Sequence, residues 1–376
     1  MKVTEKKIRV LVVDDSAFMR NVMRGMIATD STMEVIGEAR DGREAVTLAE
    51  SLRPDVISMD INMPHMDGLE ATEVIMSRNP RPVVIVSSES RDSTRGTLRA
   101  LELGAIDFVS KPSGAIDLDM NSVREELTRK LRMAAKVRVV RTAGRPPSQG
   151  ARSVAPAPAR SNGTAVAAPP PPEAAKTSAA HPVVVLAAST GGPAALMRLV
   201  PAVRKEIPAA LMLALHMPAN FTQQFTQQLA ESSSILVKPA ESGEMIRPGT
   251  LYVCPGSHHM RLLPDGKLQL DDGPRISGYR PCADVTLESV AAHAGPQAIG
   301  VVLTGMGNDA ARGLLAVKNS GGYGIAQDEA TSMIFGMPQE AIRAGAVDQV
   351  LPLDAINAAI EKRLLYLIGA AKVGAL

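Results

Sequence analysis

Tryptophan is absent from this chain, and five phenylalanines and four tyrosines are its whole aromatic complement. Platforms for stacking nucleic-acid bases need more than that. Charge of one sign is also missing: the net charge is +2 over 376 residues, too little for the electrostatic footprint of a polyanion binder. A nucleic-acid partner is therefore not expected. No apolar run approaches the roughly 18 residues of a membrane span, so direct insertion into a bilayer is not expected either. The first apolar stretch, 8–13, meets Asp14-Asp15 at once and does not read as a signal peptide. Cysteine is scarce, and Cys254 and Cys282 have neither C-x-x-C nor metal-site spacing. These absences predict a soluble, cytoplasmic protein. What is plentiful is apolar content, 45% of residues, over a length that predicts two or three domains with ample core.

Composition divides the chain. Residues 142–180 hold eight prolines and no Ile, Leu, Met, Phe or Tyr. Such a stretch cannot bury enough apolar area to offset the entropy of ordering, and predicts an extended, disordered linker. The expected division is 1–134, a linker over 135–181, and a second domain over 182–376.

In the first domain, short β-branched or apolar runs at 8–13, 33–39, 56–59, 83–86 and 108–109 alternate with helical spacing. Five strands alternating with five helices predict an α/β, doubly wound parallel sheet. Ligand sites in such sheets lie at the carboxyl ends of the strands, and polar residues collect there. Asp14 and Asp15 end the first strand, Asp60 the third, Ser87 the fourth and Lys111 the fifth. Converging carboxylates repel one another, and a hard divalent cation with oxygen ligands, magnesium first among them, relieves that repulsion. With Lys111 alongside, the set reads as a trap for a phosphoryl group with Asp60 as acceptor. Aspartates at strand ends are also ordinary loop caps, but five residues falling on four correct strand ends favours the trap.

Val12-Val13-Asp14-Asp15-Ser16, Met59-Asp60-Ile61-Asn62-Met63-Pro64, Met66-Asp67-Gly68-Leu69 and Ser110-Lys111-Pro112 resemble the receiver domain of bacterial response regulators, over residues 8 to about 130. The resemblance implies a flavodoxin-like fold phosphorylated on Asp60 by a histidine kinase. It implies magnesium held by Asp15, Asp60 and the backbone carbonyl of Asn62, with Asp14 acting through a water. It also implies Ser87 as a switch hydroxyl, Lys111 on the phosphoryl oxygens, and a cis Lys111-Pro112 bond.

The second domain opens on the unbroken apolar run 183–188, followed by Ser189-Thr190-Gly191-Gly192-Pro193. Proline suits a first helical turn. A hydroxyl there faces free N–H groups and the positive end of a helix dipole. By itself Ser189 reads best as a helix cap. Two further apolar strands, 210–215 and 297–303, end in His216 and in Thr304-Gly305-Met306-Gly307-Asn308-Asp309. In a parallel sheet these ends share one edge, so Ser189, His216 and Asp309 can converge as nucleophile, base and orienter. His216 has the alternative of a satisfied strand-end residue, and Asp309 that of capping a helix over 310–318. Gly305 and Gly307 let the backbone around Met306 approach closely and present N–H groups, as an oxyanion hole requires. The order Ser, His, Asp and the missing G-x-S-x-G elbow exclude an ordinary α/β-hydrolase. Cys254, near His258 and His259, offers a cysteine hydrolase as a competitor, but no charged neighbour in sequence lowers its thiol pKa.

With segments such as Ala188-Ser189-Thr190-Gly191-Gly192-Pro193, His216-Met217-Pro218, Tyr279-Arg280-Pro281, the 303–309 run and Gly336-Met337-Pro338, the chain is similar to the chemotaxis protein-glutamate methylesterase/protein-glutamine glutaminase family. Ala187 replaces a usual glycine. The resemblance implies a Rossmann-like esterase domain acting on γ-glutamyl methyl esters in the cytoplasmic helices of methyl-accepting chemoreceptors. Methanol is released, and receptor glutamines are deamidated. It implies Ser189 as nucleophile, His216 as base, Asp309 as orienter, Thr190 and the Met306 N–H on the oxyanion, and no cofactor for the esterase chemistry. It also implies that the unphosphorylated receiver covers the site, more weakly here because the linker is long. The opposing class is a response regulator that works only by binding a partner.

Overall fold

The computed structural model describes residues 6–88, 90–111, 117–137 and 181–373. The expected linker lies almost wholly outside these, as does Pro112.

The first sheet holds β1 (Ile8–Val13), β2 (Met33–Ala39), β3 (Val56–Met59), β4 (Val83–Ser87) and β5 (Asp107–Ser110), all parallel, in the order β2-β1-β3-β4-β5. Successive side chains of a strand face opposite sides. Val10 and Val12 pack with Met23, Ile27, Leu127 and Leu131 of the helices Ala17–Ala28 and Asp117–Ala134. Leu11 and Val13 join Ala45, Ala49, Ala71 and Ile75 of the helices Gly42–Leu52 and Gly68–Arg78 on the other side. Burial on both faces is why these strands read as continuous apolar runs.

The second sheet has seven parallel strands in the order β14-β13-β12-β6-β7-β9-β8. They are β6 (Val183–Ala188), β7 (Ala210–Leu215), β8 (Leu236–Pro239), β9 (Thr250–Val253), β12 (Ala298–Val302), β13 (Tyr323–Gln327) and β14 (Gln349–Leu351); β10 (His259–Leu262) and β11 (Leu268–Asp271) form a separate antiparallel pair. Both parts are the doubly wound α/β class expected. The sequence pattern did not reveal β8, β13, β14 or the β10–β11 pair. β8 and β14 are short edge strands with exposed positions, so they carry little apolar signal. Among the described residues no helix is long and apolar enough to cross a membrane.

In doubly wound sheets ligands bind in the crevice where the strand order reverses about the first strand. In the first sheet the reversal lies between β1 and β3, where Asp14 and Asp60 emerge. In the second it lies between β6 and β12, which brackets Ser189 and the 303–309 loop.

Backbone packing under the first crevice is tight. The helix Gly68–Arg78 starts from a capping box in which Asp67 and Glu70 exchange hydrogen bonds. A Cβ on Gly68 would lie 1.9 Å from the carbonyl oxygen of Asp60. Gly25, exposed within a helix, has nothing within 4 Å of such a Cβ. Gly68→Ala is expected to destabilise the first domain by about 1–3 kcal/mol, and Gly25→Ala to stabilise it by roughly 0.4–1 kcal/mol. Calorimetric melts of the full chain check both signs.

Candidate active site

Ser189 and His216 are neighbours by register. Ala188 of β6 pairs with Leu215 of β7, and each is followed directly by one of the two residues. The chain then holds both ends in place: Ser189 N donates to Thr304 O at 3.1 Å, and His216 N to Ala188 O at 3.1 Å. Ser189 does not cap a helix with its side chain. The helix Gly192–Leu199 begins at Gly191, whose φ is 76°, with no side-chain cap. Among the described residues the Ser189 hydroxyl has no hydrogen-bond partner.

Asp309 is 2% exposed. Its Oδ2 accepts from His216 Nε2 at 2.7 Å and from Ala283 N at 2.7 Å. Its Oδ1 accepts from Asp284 N at 2.9 Å, Ala310 N at 3.0 Å and the Cys282 thiol at 3.2 Å. Asp309 therefore caps the helix Ala283–Ala294 rather than the following helix Ala311–Asn319, whose N-cap position is Ala310. The exchange is mutual: Asp284 Oδ1 accepts from Gly313 N at 2.7 Å in the following helix. Burial by itself would raise the Asp309 pKa. The hydrogen bond and charge of His216, with the amides of Asp284 and Ala283, outweigh it and hold the carboxyl at about 2. Burial and the Asp309 charge push the Cys282 thiol up to about 12.

With Nε2 committed to Asp309, Nδ1 is the nitrogen of His216 left for base chemistry. It is buried and has no hydrogen-bond partner among the described residues. A relay built on this pair would have its ring nitrogens exchanged relative to the chymotrypsin arrangement, where Nδ1 faces the aspartate. No sequence pattern encodes that choice. One face of the imidazole is covered by Tyr279, at 4.3 Å between ring centroids and an interplanar angle of 15°. Tyr279 is a site residue that appears in sequence only as part of a motif.

The two expected oxyanion residues differ. The Met306 N–H has no acceptor among the described residues and lies between Gly305 and Gly307. A Cβ at Gly305 would meet the Ser189 Cβ at 2.8 Å, so the loop lies directly against the serine. The Thr190 hydroxyl is instead taken by Asp107 of β5, to which it donates a hydrogen bond. Around that bond the first domain covers this edge. Phe108 stacks on Phe221 at 4.3 Å between centroids, Arg129 Nη1 reaches Met306 Sδ at 3.4 Å, and Gln228 donates to Glu102. Lys130, beside Phe108, holds Asp107 at 3.0 Å.

In the first domain, oxygens of Asp14, Asp15 and Asp60 lie within 4.8 Å of one another. Lys111 Nζ bridges Asp14 and Asp60 at 2.8 Å each. Burial raises the Asp60 pKa against the pull of Lys111, whereas Lys111 itself is raised, its two carboxylate partners outweighing burial. The carboxylate oxygens suit a hard divalent cation, and the ammonium already between two of them marks where positive charge is needed. Ser87 is buried, its hydroxyl on Ser88 O at 3.3 Å. The Asn62 side chain bonds Ser93 at 2.9 Å. Cys254 is buried, its thiol held up by desolvation and directed at carbonyl oxygens, which suits a structural role.

Comparison with known proteins identifies the family. A family profile described as CheB methylesterase matches residues 184–360, and one described as response regulator receiver domain matches residues 10–122. The protein-glutamate methylesterase/protein-glutamine glutaminase of Pyrococcus horikoshii is 41% identical over 387 residues, covering 100% of this chain and 98% of that one. The chain belongs to this family. The Salmonella typhi member is 41% identical over 354 residues, covering 93% of this chain and 95% of its own. The methylesterase catalytic domain of Thermotoga maritima CheB, a solved structure, is 38% identical and covers 50% of this chain and 100% of that domain, with a TM-score of 0.47.

Asp309 also predicts a pH dependence. A carboxyl at about 2 in the fold and about 3.9 when unfolded contributes stability that is complete above pH ~4 and lost as pH falls through ~2. The contribution is roughly 2–3 kcal/mol. Asp309→Asn is expected to flatten the slope of unfolding free energy against pH between about 4 and 2, measured by urea denaturation.

Proposed function

We propose that this chain is a phosphorylation-controlled serine esterase of chemosensory adaptation, built as a receiver over 1–134, a linker over 135–181 and a catalytic domain over 182–376. The observation that carries this reading is the buried, ionised Asp309 holding His216 Nε2, with Nδ1 unpartnered among the described residues and Ser189 the neighbour of His216 by strand register. In this reading His216 Nδ1 takes the Ser189 proton as Oγ attacks the γ-carbonyl of a methylated receptor glutamate. The N–H of Met306 receives the developing oxyanion. The C–O bond to the methoxy group breaks, and the proton on Nδ1 leaves with it as methanol. Water then attacks the acyl-serine, gives a proton to Nδ1, and the proton returns to Oγ as glutamate is released. Glutamine follows the same steps with ammonia as leaving group. The esterase steps use protein groups alone.

Control comes from Asp60. Asp15, Asp60 and the Asn62 carbonyl would hold magnesium, with Asp14 through a water, which neutralises charge during transfer from a chemotaxis histidine kinase. Ser87 and Lys111 would then engage the phosphoryl oxygens. While the receiver sits over the edge, Asp107 occupies Thr190 and the receptor helix is kept from Ser189. The setting is the cytoplasm, where the kinase and the receptor helices are.

Methanol release from methylated receptor, with and without acetyl phosphate, tests this reading. Ser189→Ala is expected to lose on the order of 10⁴-fold or more in kcat; full activity in that variant sinks the serine assignment. Asp60→Ala is expected to keep basal activity and lose the response to acetyl phosphate. Asp107→Ala is expected to raise the basal rate without acetyl phosphate.

A further inference from the structure

We propose that Tyr279 is a positioning residue for His216, held in place by a hairpin anchored on the buried His259. The inference rests on the serine reading above. His216 is fixed by one side-chain hydrogen bond, from Nε2 to Asp309, and one bond leaves the ring able to swing about it. Nδ1 must nonetheless point steadily at Ser189, and no hydrogen bond holds it there. The near-parallel contact with Tyr279, 4.3 Å and 15°, supplies the missing constraint by closing one face of the imidazole.

The hairpin that presents Tyr279 is itself rigid. Ile276 and Tyr279 exchange both backbone hydrogen bonds, each at 3.0 Å. Ser277 and Gly278 between them have φ of 53° and 87°, the left-handed pair of a tight two-residue turn. Arg280 ties the base of the hairpin through Asp272 O at 2.8 Å and Gly273 O at 2.9 Å. His259, 1% exposed, completes the anchor. Its Nδ1 accepts from Cys282 N at 3.1 Å, so its Nε2–H donates to Pro274 O at 3.1 Å. One buried imidazole thus joins the hairpin under Tyr279 to the Cys282–Ala283–Asp284 segment whose thiol and amides hold Asp309. The far end of Tyr279 rests on the oxyanion loop: a Cβ on Gly307 would lie 2.1 Å from its hydroxyl. Base, orienter and loop are braced by a single structure that has no part in bond making.

The test uses full-length Tyr279→Leu and Tyr279→Phe, assayed on p-nitrophenyl acetate and on methylated receptor, with NMR of the His216 ring protons. Tyr279→Leu is expected to lose about 10–100-fold in kcat with KM nearly unchanged, while Tyr279→Phe, which keeps the ring, stays within about threefold of wild type. The His216 C–H resonances are expected to move downfield in Tyr279→Leu, as the ring-current shift disappears, and to stay in Tyr279→Phe. Wild-type kcat in Tyr279→Leu, an equal loss in both variants, or unmoved His216 resonances overturns the proposal. If Tyr279→Leu does not fold, retention of both kcat and the ring-current shift in Tyr279→Phe supports it, and loss of either overturns it. A wild-type chain inactive on both substrates sinks the serine reading instead, and the ring-current shift then decides the stack by itself.

Discussion

A buried carboxylate at the start of a helix organises the catalytic half of this protein. Asp309 takes two backbone amides of the helix Ala283–Ala294, and Asp284 returns the favour to the helix Ala311–Asn319. Each helix is capped by a residue attached to the other, so the two must dock for either end to be satisfied. His216 and these amides together outweigh burial and keep Asp309 ionised, and the bond between the two commits His216 Nε2 and leaves Nδ1 without a partner among the described residues. The chemistry of the imidazole therefore follows from helix packing on the far side of the sheet from the receiver.

One strand of the receiver carries the contact nearest the serine. β5 carries Asp107, bonded to Thr190, and Phe108, stacked on Phe221, and it ends one residue before Lys111, the cation between Asp14 and Asp60. The phosphoryl-acceptor site and the contact over the serine are thus two ends of one short strand. The helix Arg91–Glu102 of the receiver packs on the helices Gly192–Leu199 and Ala219–Ser232 beside it. The two apolar cores continue into one another there, so parting the domains exposes apolar surface as well as breaking polar bonds.

Much of this was legible in the sequence, and for a physical reason. Strands covered on both faces must be apolar throughout, so β1, β6, β7 and β12 stand out, and polar residues just beyond them mark the edge where ligands bind. Ser189, His216 and Asp309 were singled out that way. What surrounds Asp309 was not, because its partners are mostly backbone amides, which leave no trace in residue identity. Ser189 as a helix cap failed since the chain needs a left-handed residue, Gly191, before the helix can start. The orientation of His216 depends on which nitrogen the aspartate reaches first, a matter of packing. Tyr279 and His259 act through a hairpin whose turn, Ser277-Gly278, is the one part of that brace with a recognisable sequence signature.

Lys111 gives the receiver an internal counterion. Its ammonium sits between Asp14 and Asp60, and the remaining oxygen of Asp60 accepts the N–H of Ile61 at 2.8 Å. Both oxygens of Asp60 are therefore occupied, while one ammonium is shared within a cluster of three carboxylates, Asp14, Asp15 and Asp60. In the phosphorylation reading proposed above, Asp60 must be let go by the same lysine that afterwards faces the added phosphoryl charge. In that reading occupancy joins burial in restraining the acceptor, and a single side chain would serve first as that restraint and then as the ligand of the product.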